Sequence, residues 1–77
     1  MNTVTVNLNG IEAVKRFNTV VSTFYSEIDI VKGRYVIDAK SIMGIFSLDL
    51  SKPIDVVIHS RNEDEIVRFY DVMKEFK

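Results

Sequence analysis

The residues best suited to chemistry in this chain lie in two short stretches, and the more informative one is residues 40–48. It reads KSIMGIFSL, which places Ser41 directly before a short apolar segment. Ser41 is expected to begin a helical turn, because a serine hydroxyl accepts a hydrogen bond from the free backbone amides at a helix start. The same amides favour anions, so a phosphate on Ser41 would be accommodated there. The stretch predicts a helix cap that could also accept phosphate.

The second stretch, residues 10–13, reads GIEA and joins a predicted strand to a predicted helix. It places the carboxylate of Glu12 in the first helical turn. A negative charge there opposes the helix dipole and stabilises the helix by about 0.3–1 kcal/mol. This structural role is sufficient to explain Glu12 from the residues alone.

The chain offers little for metal or thiol chemistry. His59 is the single histidine, and cysteine is absent. His59 alternates with Asp55 and Val57 on the outer face of a predicted strand, where a solvated structural role is expected. Without a second histidine or any cysteine, no metal site and no cofactor are predicted. The absence of cysteine also excludes a disulfide framework.

Composition limits the classes of function. The chain has 77 residues, a net charge of −1 and 47% hydrophobic residues, which predicts one small domain over residues 1–77 with its function on the surface. The basic residues are scattered, which argues against a nucleic-acid partner. No apolar run approaches the roughly 20 residues that span a bilayer, so membrane insertion is not expected. No signal peptide is visible, and a cytoplasmic location is predicted.

Two hydrophobic periods define the elements that position these residues. Alternation of apolar and polar residues predicts strands over residues 3–8, 27–31, 34–39 and 54–60, with Tyr35 on an inner face. Helical spacing predicts a first helix from Ile11 and a last helix after Asn62, which is expected to form a capping box with Glu65. The helical apolar positions are Val14, Phe17, Val21 and Phe24 in the first helix, and Ile66, Phe69, Met73 and Phe76 in the last.

The predicted element order is β-α-β-β-α-β-α. Strands with one apolar face need a layer of helices over that face. The sequence therefore predicts an α+β open-faced β-sandwich: a four-stranded antiparallel sheet with two long helices and one short helix on one face. The pattern alone favours a split βαβ, ferredoxin-like arrangement.

Residues 40–48 and 10–13 resemble the corresponding parts of HPr, the small phosphocarrier of the bacterial sugar phosphotransferase system. The resemblance rests on the KSIMGIFSL stretch and on the Gly-Ile-x-Ala pattern, and it implies an HPr-like fold. In HPr-type proteins the serine of this motif is the target of an ATP-dependent kinase, which implies regulatory phosphorylation at Ser41. The following apolar residues form a docking patch, and the matching positions are Ile42, Met43 and Phe46.

The first helix departs from the family pattern at its start. In HPr this junction reads Gly-Ile-His-Ala-Arg-Pro; the histidine carries the phosphoryl group and the arginine helps to hold it. Glu12 stands at the histidine position and Val14 at the arginine position. A neutral imidazole suits reversible phosphoryl transfer, whereas a carboxylate brings negative charge toward an anionic donor and Val14 supplies no cation. The resemblance therefore implies a member that is neither an enzyme nor a working phosphocarrier.

The resemblance implies a regulatory or protein-binding role, similar to that of the catabolite-repression HPr paralogue, which also lacks the histidine and keeps the serine. The implied partners are HPr kinase, other phosphotransferase-system proteins or a transcription regulator. Two alternatives stay open: an active phosphocarrier with an atypical site at Glu12, and an interaction module unrelated to sugar transport. Glu12 itself either stabilises the helix start or imitates the charge of a phosphorylated histidine.

Overall fold

The computed structural model describes residues 2–77 and confirms the predicted order of strands and helices. The first five elements are β1 (Asn2–Val6), α1 (Ile11–Val21), β2 (Glu27–Lys32), β3 (Tyr35–Asp38) and α2 (Ile42–Phe46). They are followed by β4 (Ile54–His59), α3 (Glu63–Met73) and a final 3₁₀ turn (Lys74–Phe76). Within residues 2–77, no helix has the length and apolar character needed to cross a membrane.

The four strands form one sheet in the order β1-β4-β2-β3, and all neighbouring strands are antiparallel. Because β1 and β2 are both antiparallel to β4, they run parallel to each other and α1 links them. The split βαβ prediction is therefore confirmed. The ferredoxin-like part is wrong, because β4 lies between β1 and β2, where a ferredoxin-like fold places its third strand. Alternation along a strand defines its faces and carries no information on its neighbours.

The core lies between one face of this sheet and the long helices, as the periodicity predicts. Most inward strand residues and most apolar residues of α1 and α3 are buried, and each fully buried large apolar side chain contributes about 1.5–3 kcal/mol to stability. The fully enclosed side chains include Val6, Ile28, Ile30, Ile54, Val56 and Ile58 from the strands, with Val14, Phe17, Val21, Phe69 and Met73 from the helices.

One predicted inward residue is exposed. The alternation predicts Tyr35 on the inner face of its strand, but its side chain is 64% exposed. It lies at the first position of the edge strand β3, beside the hairpin turn at Gly33, where φ is 59°. A residue beside a turn at the sheet edge lacks a neighbouring strand on one side, so its face is only partly covered.

The predicted capping box is half correct. The Asn62 side chain accepts a hydrogen bond from the Glu65 N–H at 3.1 Å, which confirms the cap. The Glu65 carboxylate does not return to Asn62; it accepts hydrogen bonds from the N–H and hydroxyl of Ser26 at 2.9 and 2.8 Å and pairs with Arg68 at 3.1 Å. Burial opposes ionisation of Glu65, but these hydrogen bonds outweigh it and lower the pKa of the carboxyl. Glu65 therefore joins α3 to the segment before β2.

Candidate phosphorylation and protein-binding site

Ser41 begins α2 as the sequence predicts. Its backbone is extended, with φ −91° and ψ 101°, and its Oγ accepts a hydrogen bond from the Gly44 N–H at 3.3 Å. Its carbonyl accepts the first helical hydrogen bond, from the Ile45 N–H at 3.1 Å. The residue is exposed. Ser41 thus caps α2 while its hydroxyl stays accessible to solvent.

Gly44 allows α2 to pack closely on the sheet. A β carbon at this position would lie 2.7 Å from Cγ2 of Ile37 and 3.3 Å from Oγ of Ser41. A side chain fits at the first of these distances only if the Ile37 side chain, the strand or the helix shifts. The glycine, which in the sequence only interrupts an apolar run, therefore allows α2 to lie close to β3.

Helix α1 holds the segment that precedes α2, a contact that the sequence pattern does not predict. The Asn18 side-chain amide donates hydrogen bonds to the carbonyls of Lys40 and Ala39 at 2.9 and 3.4 Å. The Lys40 ammonium donates to the Phe24 carbonyl at 2.7 Å. These contacts connect positions 16 to 22 residues apart in the chain. The one signal in the sequence is a polar residue, Asn18, directly after Phe17 on the apolar side of an amphipathic helix.

The apolar residues of α2 divide into exposed and buried side chains. Met43 is 76% exposed and Phe46 is 42% exposed, as expected for a docking patch. Ile45 is completely buried. The resemblance predicts an exposed Ile42, but this side chain is partly buried and packs against the core. We call Ser41, Met43 and Phe46 the α2 surface.

The start of α1 presents Glu12 to solvent and Val14 to the core. Gly10 precedes the helix with φ 98°, a conformation that side chains rarely adopt, and its carbonyl accepts the Val14 N–H at 3.2 Å. Glu12 is exposed, whereas Val14 is completely buried. The position where the family pattern has an arginine therefore holds an apolar side chain within the core.

Arg16 is the nearest guanidinium along α1, and it is already paired. It forms a two-point ion pair with Glu75, with nitrogen–oxygen distances of 3.2 and 3.1 Å. The hydrogen bonds and charge of Glu75 raise the pKa of Arg16 above its ordinary value. The Asn7 N–H donates to the Phe76 carbonyl at 2.7 Å and holds the end of the chain beside β1. The Arg16 guanidinium is thus bound to Glu75, and an anion near α1 would have to compete with this carboxylate for it.

His59 does not join this site. Its Nε2 lies 2.9 Å from Oδ2 of Asp29 on the neighbouring strand. It alternates with the inward residues Ile58 and Val56 in register along β4, so it lies on the sheet face opposite to the helices. Among residues 2–77, no group of three or more histidine or acidic residues is arranged to hold a metal ion.

The structure brings the two predicted stretches onto neighbouring helices, since α1 and α2 are in contact. A small antiparallel α+β sandwich with an exposed serine-capped helix beside its first helix is the arrangement that the resemblance to phosphocarrier proteins predicts. The family model described as the PTS HPr component phosphorylation site matches residues 2–75. The chain therefore belongs to the HPr family, the phosphocarrier proteins of the phosphotransferase system.

Solved structures agree with this assignment. The chain is similar to HPr-C-His from Thermoanaerobacter tengcongensis, with 26% identity, a TM-score of 0.75, and coverage of 97% of this chain and 93% of the other. Its fold is also that of the phosphocarrier protein HPr from Bacillus anthracis, with 21% identity, a TM-score of 0.75, and coverage of 97% and 95%. No curated protein sequence matches the chain significantly.

Proposed function

We propose that this protein is a non-catalytic, regulatory member of the HPr family. It binds protein partners through the α2 surface in the cytoplasm, and phosphorylation of Ser41 controls this binding. The partners are other phosphotransferase-system proteins, an HPr-type kinase, or a transcription regulator of catabolite repression. The observation that carries the proposal is the contrast between the two helix starts: α2 presents an accessible hydroxyl at Ser41, whereas α1 presents the carboxylate of Glu12.

The geometry of α1 argues against phosphoryl relay. An incoming phosphoryl group would meet the negative charge of Glu12. Val14 is buried, and the Arg16 guanidinium is bound to Glu75. Neither residue is therefore placed to stabilise the charge of the phosphoryl group as it is transferred. Glu12 is therefore best explained by its position in the first turn of α1.

The geometry of α2 supports regulation at Ser41. A phosphate adds nearly two negative charges and strong hydrogen-bond acceptors at neutral pH. The Gly44 N–H, 3.3 Å from Oγ of Ser41, is a donor that a phosphate oxygen could use. The new charge would lie beside the exposed side chains of Met43 and Phe46. The modification would change the electrostatics of the α2 surface and leave the fold intact.

The exposed side chains of α2 support protein binding. Methionine adapts its shape to different partners, and aromatic residues contribute strongly to interface energies. Met43 and Phe46 are held at a fixed position by Ile45 in the core and by the contacts of Asn18 with the preceding segment. A rigid helix with exposed Met and Phe is suited to an apolar groove on a partner.

The experiment combines phosphorylation with a binding assay. The protein is incubated with HPr kinase and ATP, and mass spectrometry locates the phosphate. The expected result is one phosphate on Ser41 and none in Ser41→Ala. Both forms are then used to capture partners from a bacterial lysate. Met43→Asp should abolish capture, whereas the control Val67→Asp, on the exposed face of α3, should not.

Each outcome has a defined meaning. Capture that depends on Met43 and changes on phosphorylation supports the whole proposal. If Ser41 carries no phosphate but capture still depends on Met43, the protein would be an interaction module that is not regulated through the phosphotransferase system. Equal capture by the chain and Met43→Asp would contradict the assignment of the α2 surface as the binding site.

A further inference from the structure

Helix α2 covers only part of the inner face of β3. Ile37 and Tyr35 are two residues apart and lie on the same face of the strand. Gly44 of α2 packs closely on Ile37, whereas Tyr35 is 64% exposed. A cleft of about 600 Å³ lies here, between the β2–β3 hairpin and residues 47–49, which follow α2. It is the part of this face that the short helix leaves uncovered.

The hairpin brings two cations and an aromatic ring to one wall of the cleft. Lys32 and Tyr35 are paired opposite each other, so Gly33 and Arg34 are the two central residues of the turn. Gly33 has a φ of 59° and Arg34 has no positive φ, which is the pattern of a type II′ turn with glycine at its first central position. Lys32, Arg34 and Tyr35 all line the cleft.

The opposite wall is held in place by local contacts. Leu48 is partly buried and packs against the core. The Asp49 carboxylate accepts hydrogen bonds from the Ser51 N–H and hydroxyl at 3.0 and 2.6 Å. These hydrogen bonds, with a smaller contribution from the charge of Lys32, lower the pKa of Asp49. Asp49 is therefore ionised at neutral pH, and the charge of Lys32 partly balances it.

The balance of charges in the cleft leaves one cation over. Lys32, Arg34 and Asp49 are the charged residues of the lining, and together they carry one positive charge on a chain whose net charge is −1. Arg34 forms no salt bridge within residues 2–77. A guanidinium without a partner can bind a carboxylate through two parallel hydrogen bonds.

The other lining residues suit an apolar, planar molecule. Ile37 and Leu48 supply aliphatic surface, and the exposed ring of Tyr35 can stack on an aromatic group. The volume lies in the range of about 300–1,000 Å³ that is typical of small-molecule sites, which are mostly apolar with a few polar groups. Size and lining therefore favour a small ligand.

We propose that this cleft binds a small organic anion with a planar apolar body. The body lies against Tyr35, Ile37 and Leu48, and the carboxylate or a similar anionic group is held by Arg34. Ser41, Met43 and Phe46 do not line the cleft, so this site does not depend on the proposed role of the α2 surface.

A titration followed by NMR tests the site with defined probes. Naphthalene carboxylate is added to the isotope-labelled full chain up to millimolar concentration, and the uncharged naphthalene carboxamide is the matched control. Saturable changes in the backbone amide shifts are expected at residues 32–37 and 47–49. The carboxylate should bind about tenfold more tightly than the carboxamide, because only the carboxylate forms charged hydrogen bonds with the guanidinium. Absence of saturable changes in these two segments, or equal affinities of the two probes, would overturn the proposal.

Substitutions in the cleft separate its charge from its apolar surface. Arg34→Gln should weaken binding of the carboxylate about tenfold and leave binding of the carboxamide unchanged. The control Arg61→Gln removes an exposed cation outside the cleft and should change neither affinity. Tyr35→Ser should weaken both probes. Both cleft positions are exposed, so the variants should keep the fold, which their NMR spectra check directly. Equal effects of the two arginine substitutions would show a response to net charge alone and would contradict the assigned site.

Discussion

A β carbon on Gly44 would lie 2.7 Å from Cγ2 of Ile37, so α2 packs closely on β3 at this point. The close contact lets the helix lie against the sheet, and the helix in turn positions the Ser41 hydroxyl and the exposed Met43. The α2 surface is thus built on the sheet through a glycine, with Asn18 of α1 holding the preceding segment. Substitutions at each of these contacts should have separate, measurable effects.

Gly44→Ala should destabilise the protein, although alanine favours helix by about 1 kcal/mol. The added methyl group meets Ile37, and overpacking of this kind typically costs about 1–3 kcal/mol. Urea unfolding gives the change in the free energy of unfolding. Ile37→Ala removes the clashing methyl group, so the double variant should lose less than the sum of the two single losses. Simple additivity would show that the two residues do not oppose each other.

Ser41→Ala should remove both the cap of α2 and the proposed phosphate acceptor. Loss of a serine cap costs about 0.5–2 kcal/mol. Ser41→Asn keeps a capping oxygen without the hydroxyl, so it should restore most of the unfolding free energy while remaining unphosphorylated by HPr kinase. Phosphate incorporation into the Asn variant would place the modification at another residue.

Asn18→Ala should loosen the start of α2. It removes two side-chain hydrogen bonds to the carbonyls of Lys40 and Ala39, which is expected to cost about 1–2 kcal/mol. Amide hydrogen exchange of residues 41–46 should accelerate more than that of β4. The neighbouring substitution Thr19→Ala, at an exposed position of the same helix, is the control and should leave α2 protection unchanged.

Glu65 should make stability depend on pH in the acid range. Its pKa is lowered in the folded state, so its contribution is complete above the unfolded pKa of about 4.3 and is lost as pH falls through the folded pKa. The free energy of unfolding of Glu65→Gln at pH 7 should therefore be about 1–3 kcal/mol lower than that of the unmodified protein, and this difference should become smaller in acid. A difference that stays constant from neutral to strongly acid pH would contradict the ionised state assigned here.

Much of the fold follows from local pattern. Most apolar positions of the two long helices and the caps Ser41 and Asn62 are set by neighbours three or four residues away, and these predictions are confirmed. Ile66 is the exception, because it is only partly buried. The partner of the Glu65 carboxylate is not predictable in this way, because the local capping rule favours Asn62, whereas Ser26 lies 39 residues away in sequence.

In the candidate site as well, features that depend on neighbours in the sequence were predictable, and features that depend on packing between distant segments were not. Motif spacing identifies Ser41, and the exposure of Met43 agrees with the expected docking patch. The partial burial of Ile42, the contact of Gly44 with Ile37 and the contacts of Asn18 depend on how α1, α2 and β3 pack in space. The order of the strands cannot be predicted from the alternation either, because alternation shows which face of a strand is buried but not which strands are neighbours.

The most direct measurement is phosphoryl transfer from phosphoenolpyruvate through the general enzyme of the phosphotransferase system. A histidine-containing HPr serves as the positive control in the same reaction. We expect no acid-labile phosphate on this protein, because Glu12 repels the donor and Arg16 is bound to Glu75. Stoichiometric labelling that disappears in Glu12→Gln would contradict this expectation and establish an active phosphocarrier with a carboxylate site.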